Sequence, residues 1–394
     1  MEKLFLVTNP GSSSRKYALY RGDEAVCTLH FEMEGKDVVC TLKRADGPKQ
    51  KLTDGFKKLT DTVKYVKDIL ENEGYLDKNN VLSAVLARVV ATGDYFAHDH
   101  LVDAECLKKL EIGKKRAPLH VPVVAAEIES CVKEFDGTPV MIISDSAFHT
   151  SRDDTHTYYA IDTELADKAE IKRYGFHGLS MGSISGYLEA EKLGAEKVIA
   201  CHIGSGSSVT ALKDGKSFDT TMGYTPLEGV MMATRCGDID ATAAMSIGRE
   251  LGLEGEKLEE YLNKQCGLKG VTGETDDMRE VLSLRADGDA RAKLAYNMYI
   301  YRIQRAIGQM AASLQGVDAL VFTATIGERN SEIRRDIVAG LGYLGFKVSD
   351  TKNDDGFGDK CHCNIAASGS KPIYVIQTDE TGEMIRRALA LLEK

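Results

Sequence analysis

Two stretches decide the fold: Leu4–Gly22, LFLVTNPGSSSRKYALYRG, and Val198–Gly215, VIACHIGSGSSVTALKDG. Laid over each other without a gap, Gly11, Ser12, Ser14, Ala18, Leu19 and Gly22 match Gly204, Ser205, Ser207, Ala211, Leu212 and Gly215. Each copy reads as an apolar strand, a Gly/Ser turn, a second strand and a tight turn, the pattern of a β-hairpin with a small-residue tip. One copy opens the chain and the other opens its second half, as expected of two related α/β domains that each present a hairpin to a shared cleft. Small tips let backbone N–H groups approach phosphate oxygens, and the serine hydroxyls add donors. Two such tips predict a phosphate clamp. Neither stretch fits the P-loop pattern, and no GxGxxG follows a strand and opens a helix.

Working outward, Leu59 to Asn72 reads as a helix, VLSAVLARVV (81–90) as a buried strand, and TPVMIIS (138–144) as a strand ending at Asp145. Asp238 to Leu251, Ala290 to Leu314 and Ser331 to Leu341 read as helices. The strand ALVFTA ends at Ala324 and a glycine turn follows, with Asn330 or Ser331 placed to cap the next helix. The last strand is Ile373 to Ile376, followed by the polar turn Thr378-Asp379-Glu380 and an amphipathic helix from Glu383. The length, 394 residues, calls for two domains. With no Pro/Gly/Ser-rich linker, the boundaries are placed near 150 and 380. The first domain is expected over 1–149 plus 381–394 and the second over 150–380.

A formal charge of -10 and the absence of a dense Lys/Arg patch argue against a nucleic-acid surface. No apolar run reaches the length of a membrane span, and MEKLFLVTN is too short in apolar character for a signal peptide, so the cytoplasm is expected. Nine scattered cysteines read as reduced thiols. Cys361-His362-Cys363 lacks the spaced second pair of a structural zinc site.

Phosphoryl transfer between two anions needs cations on the transferring oxygens, a metal for the leaving phosphate, and donors that hold the line of attack. Arg88 at a strand end, Arg235 before a helix and His177 in the glycine-flanked run RYGFHG are candidate cations. Asp145 and Glu380 each follow an apolar strand, where parallel α/β sheets place ligands, and are the choices for magnesium; Asp238 and Asp240 are rivals that also suit helix capping.

The runs NPGSSSRKYAL, APLHVP, SDSAFH, RYGFHG, CHIGSGSSV, DTTMGYTPLEGVMMATRCGDID, TDDMRE, VFTATIGERN, GLGYLG and TDE, in this order, resemble the acetate kinase family along nearly the whole chain. The resemblance implies two duplicated actin/hexokinase-like (ribonuclease H-like) α/β domains facing across a cleft, with the nucleotide site and a homodimer interface in the second. It implies reversible, magnesium-dependent transfer, with manganese as a substitute, between ATP and acetate, giving ADP and acetyl phosphate by direct in-line displacement. By position, Asn9, Ser12 and Lys16 belong to the first phosphate hairpin, and Arg88 and Arg235 clamp the acyl phosphate or carboxylate. His177 stabilises the transferring phosphoryl group, and Asp145 orients the acid or a metal-bound water. Asn9 and Glu380 serve the metal. Val90, Leu119, Phe176 and Pro226 form the apolar acid pocket, and His120 near the cleft also binds the substrate. His202, Gly204, Ser205, Gly206, Asp277, Met278, Arg279, Thr325, Gly327 and Glu328 hold the nucleotide.

Ala87, Ala91, Thr92, Met181 and Ser205 depart from the family pattern, and Thr325 replaces a glycine expected beside the adenine. Thr325 motivates a pyrophosphate donor as an alternative. Propionate is an alternative acid, because one methylene in an apolar pocket is worth only about 1–3 kcal/mol. A non-catalytic actin-like nucleotide switch is the alternative from another class.

Overall fold

The computed structural model describes residues 3–11, 14–53, 55–116, 121–356 and 362–393. The chain divides into two compact units, Met1–Ala147 with Glu380–Lys394, and Phe148–Asp379. Glu380 thus belongs to the first unit, whereas the sequence reading put it in the second.

The first unit is built on strands β1 (Leu4–Pro10), β2 (Ser14–Arg21), β3 (Glu24–Glu34), β4 (Asp37–Arg44), β5 (Lys49–Leu52), β6 (Ala84–Val89), β7 (His100–Leu101) and β8 (Val140–Ser144), in the order β5-β4-β3-β2-β1-β6-β8-β7. β1, β6 and β8 are parallel neighbours. Their near-continuous apolar sequences follow from burial on both faces. The helices Thr62–Asn72 and Val121–Glu134 send Val63, Val66, Leu70, Val124, Ile128 and Cys131 into a core with Tyr17, Leu29 and Phe31. The helix Glu380–Leu392 packs against β1, β6 and β8.

The second unit carries β9 (Lys197–Ile203), β10 (Ser207–Lys213), β11 (Lys216–Thr220), β12 (Ala319–Thr323), β13 (His362–Asn364) and β14 (Ile373–Ile376), in the order β11-β10-β9-β12-β14-β13. The long helix Ala290–Ser313 buries Ala292, Ala295, Tyr299, Ile303, Ile307 and Met310 at three- and four-residue spacing, and Asp289 caps its start by accepting the N–H of Ala292 at 2.6 Å. The helix Gly178–Ala190 packs Met181 and Ile184 against Val198, Ala200 and Val321.

Both predicted hairpins are present. The set β3-β2-β1-β6-β8 and the set β11-β10-β9-β12-β14 repeat one topology: two antiparallel pairs, then two parallel ones. The repeat seen as six matched residues is a repeat of sheets.

Two local expectations are corrected. The terminal helix starts at Glu380 rather than Glu383, since Glu380 and Glu383 both occupy its first turn, where carboxylates complement the helix dipole. The glycine turn after β12 is itself a helix, Ala324–Arg329. Ala324 makes the sharp entry with φ 65°, and the Glu328 carboxylate accepts its N–H at 2.9 Å. Asn330 does cap the following helix, Ser331–Ala339.

Candidate active site

In the second unit, His177, Arg235 and Gly206 come together. Gly175, with φ 78°, allows the chain to reach His177, because a Cβ there would lie 2.8 Å from Thr220 and 2.9 Å from His149. His177 itself has φ 60° and precedes the helix Gly178–Ala190 without capping it through its side chain. Its Nδ1 meets Ser208 Oγ at 2.9 Å, and His202 Nδ1 meets Ser180 Oγ at the same distance. The two imidazoles stack with centroids 3.9 Å apart. At the hairpin tip, a Cβ on Gly206 would lie 3.3 Å from Arg235 Nη1 and 3.4 Å from His177 Nε2. Only a glycine leaves that space to a ligand.

Arg235 Nη1 reaches the carbonyl of Pro226 at 3.4 Å and Met232 Sδ at 3.7 Å, and no carboxylate of the described residues pairs with it. Burial holds its guanidinium below the ordinary range. A partly buried cation without a counter-charge is a site for an anion. Pro226 is buried and Phe176 is 1% exposed; the carbonyl of Phe176 is bonded to His149 Nε2 at 2.9 Å.

A cavity of about 600 Å³ adjoins the same hairpin and is lined by Gly204, Ser205, Asp277, Met278, Arg279 and Thr325, among others. Its volume lies in the range of small-molecule sites. Asp277 caps the helix Met278–Ala286 and accepts from Arg279 N at 2.8 Å and Nε at 3.0 Å, which fixes the Arg279 backbone beside the cavity. Met278 is mostly core, 5% exposed. Thr325 is exposed on the wall, so its bulk leaves the cavity open. Gly327 is buried behind it, 3.5 Å in Cβ terms from Ile203. Glu328 Oε1 accepts the N–H groups of Ala324 and of Thr378, at 2.9 and 3.1 Å, and so shapes the wall from behind.

In the first unit, Asn9, Arg88 and Asp145 lie at the carboxyl ends of the parallel strands β1, β6 and β8, where open α/β sheets bind ligands. Arg88 Nη1 donates to Glu380 Oε2 at 2.9 Å, and Nη2 donates to Asp145 Oδ2 at 3.2 Å. Burial opposes the charge on Arg88, but Asp145 and Glu380 outweigh it and hold the guanidinium well above its ordinary range. Asn9 pairs across the hairpin with Lys16, and both side chains are exposed. Val90, half-buried, directly follows β6. Among the described residues no group of three or more His, Cys, Asp or Glu could hold a metal. Asp145 and Glu380, both bonded to Arg88, and Asn9 offer the carboxylate and amide oxygens that magnesium takes, and magnesium needs few protein ligands because it keeps several waters.

Ser12, Leu119 and His120 lie outside the described residues, as does Cys361. The magnesium rivals have other work: Asp240 caps the helix Ala241–Leu251 and Asp238 accepts the N–H of Gly229 at 2.8 Å. Sequence reasoning missed Ser180 and Ser208, which orient the histidines, because serine beside glycine reads equally as turn chemistry. It also missed Arg334. That arginine is 1% exposed and donates to the carbonyls of Gly327 and Glu328, both at 2.9 Å.

Glycine at the hairpin tip, an arginine with no carboxylate partner among the described residues and a cavity of small-molecule size belong together in enzymes that bind and transfer phosphoryl groups. Residues 4–387 match the acetokinase family, and the chain belongs to it. An acetate kinase of Clostridium botulinum (strain Kyoto / Type A2) is 36% identical over 382 residues, covering 95% of this chain and 96% of that protein. Among solved structures, a propionate kinase from Francisella tularensis matches with TM-score 0.89 at 34% identity, covering 98% of each chain. The Porphyromonas gingivalis acetate kinase matches with TM-score 0.86 at 31% identity over the full length of both. These matches show the two-domain actin/hexokinase-like fold and a phosphotransferase.

Proposed function

We infer that this chain is an acetate kinase, transferring a phosphoryl group reversibly between ATP and the carboxylate of acetate. A carboxylate oxygen attacks the γ-phosphorus, the bond from that phosphorus to the β–γ bridging oxygen breaks, and the electron pair leaves with ADP. No proton or electron changes hands. Arg235 offsets charge on the equatorial oxygens, and His177, held at Nδ1 by Ser208, offers Nε2 on the same side. Gly204, Ser205 and Gly206 approach the nucleotide phosphates with backbone N–H groups, while Asp277, Met278, Arg279, Thr325 and Gly327 wall the nucleoside. Arg88 and Val90 in the first unit, and Phe176 and Pro226 in the second, are the residues assigned to the carboxylate substrate. Asn9 and Glu380 would hold magnesium, with Asp145 supporting them, and the ion would supply positive charge against that of the phosphates.

The cavity beside Thr325 supports a nucleotide donor over pyrophosphate. We place the enzyme in the cytoplasm, consistent with free thiols at eight cysteines among the described residues, none of which forms a helix able to cross a membrane. Homodimer pairing through the second unit follows the family resemblance.

The observation that carries this reading is Arg235, partly buried beside a glycine tip and paired with no carboxylate of the described residues. Arg235→Ala leaves no orphaned counter-charge, so it should lower kcat by about a hundredfold or more at an unchanged melting temperature. Near-normal turnover in the folded variant would overturn the assigned role.

A further inference from the structure

The helix Glu380–Leu392 is tied to the end of β8 by an ion pair that the proposed chemistry does not touch. Arg387 Nε donates to Asp99 Oδ2 at 2.8 Å, and its Nη2 donates both to Asp99 Oδ1 and, at 2.9 Å, to the carbonyl of Ser144. Asp99 Oδ1 also accepts the N–H of Ser144 at 2.8 Å. One fork-on-carboxylate pair, 11% and 15% exposed, therefore fixes both backbone groups of Ser144.

The two anchored elements each carry a carboxylate that grips Arg88. Ser144 ends β8 and is followed at once by Asp145, which takes Arg88 Nη2. The helix bearing Arg387 opens with Glu380, which takes Arg88 Nη1. Residues 380 and 387 are about two helical turns apart, so both project from one face of that helix. Arg88 meets each carboxylate through one Nη only. The Asp99–Arg387 pair fixes their separation independently of ligand.

We propose that Asp99 and Arg387 are positioning residues for the carboxylate side of the reaction, setting the spacing of Asp145 and Glu380 about Arg88. This rests on the function proposed above. Neither residue touches substrate; both act through Ser144 and the terminal helix. The nucleotide cavity lies wholly in the second unit and draws none of its lining from these elements.

The test is steady-state kinetics on Asp99→Asn, Arg387→Lys and Arg387→Gln, with thermal unfolding recorded for each. Arg387→Gln should lower kcat/KM for acetate by about tenfold or more while KM for ATP stays within about twofold. Arg387→Lys, which keeps one charged donor but loses the fork, should recover part of that loss. Asp99→Asn should repeat the acetate-side defect, and the double variant Asp99→Asn/Arg387→Gln should be no worse than Arg387→Gln, as expected of a pair acting as a unit. Variants that melt earlier but keep kcat and both KM values well below their melting temperature would reduce the pair to a structural brace and overturn the proposal, as would equal loss on the acetate and ATP sides. Should Arg387→Gln not fold, Arg387→Lys and Asp99→Asn decide. A wild-type protein that makes no acyl phosphate would overturn the proposed function and this role together, whereas an active wild type with kinetically silent variants overturns this role alone.

Discussion

The imidazole rings of His177 and His202 stack with centroids 3.9 Å apart and planes 24° from parallel, each ring held at Nδ1 by a serine hydroxyl. Thr378 Oγ1 donates to Ser180, extending the support behind His202 to the residues after β14. Ser208→Ala removes the hydroxyl on His177 while leaving Ser180 and the stack in place. One such hydrogen bond is worth about 1 kcal/mol, so kcat should fall about three- to tenfold with KM for ATP unchanged. A rise confined to KM for ATP, with kcat unchanged, would show that Ser208 serves the nucleotide rather than His177.

Gly206 is the point where Arg235 and His177 converge. A methyl there must displace Nη1 of Arg235 or Nε2 of His177 by a few tenths of an ångström and occupies the space left for a phosphoryl oxygen. Gly206→Ala should reduce kcat by roughly a hundredfold, the scale expected when a catalytic group is misplaced, with little change in melting temperature. Full activity in this variant would place the transferring group elsewhere.

Glu328 shapes the cavity wall by taking the backbone N–H groups of Ala324 and Thr378. Ala324 sits at φ 65°, a strained conformation for a residue with a side chain, and depends on such support. Glu328→Ala should raise KM for ATP by about tenfold, in line with leaving a partly buried donor unpaired, while KM for acetate holds. Fluorescence titration with a nucleotide analogue checks this without turnover.

Glu127, 5% exposed, accepts from Thr8 at 2.7 Å and lies 3.6 Å from Arg15 Nε beneath the first hairpin. Burial raises its pKa above the ordinary 4.5, despite opposing hydrogen bonds from Tyr17 and Thr8 and the charge of Arg15. A carboxyl that holds its proton more tightly when folded contributes stability fully below the unfolded value and loses it as pH rises through the folded one. Glu127→Gln cannot ionise. Its unfolding free energy in urea should therefore gain on that of the wild type as the pH is raised above the ordinary 4.5. A difference that is flat, or that falls with pH, would contradict burial as the dominant influence.

Sequence legibility followed the spacing of apolar runs and the rarity of motifs. The two Gly/Ser tips are legible because their residues repeat, and the strands of the parallel centre and the long helix Ala290–Ser313 because their burial is continuous or periodic. The strands β3, β4 and β5 are not, since mixed polar sequence on one solvated face is weak evidence for any element. Arg88 and Arg235 are alike in sequence, yet among the described residues one is doubly paired and the other has no carboxylate, a difference created by long-range contact. For the same reason Asp99 and Arg387, 288 residues apart, give no local signal.

The central claim is nucleotide-dependent phosphorylation of a carboxylate. The direct measurement is to incubate the purified chain with acetate and magnesium, supply ATP or pyrophosphate in separate reactions, and trap acyl phosphate with hydroxylamine. Hydroxamate formed with ATP and not with pyrophosphate is the predicted result. Hydroxamate with pyrophosphate alone would contradict the nucleotide assignment of the cavity beside Thr325, and none with either donor, for acetate and propionate alike, would contradict the kinase reading itself.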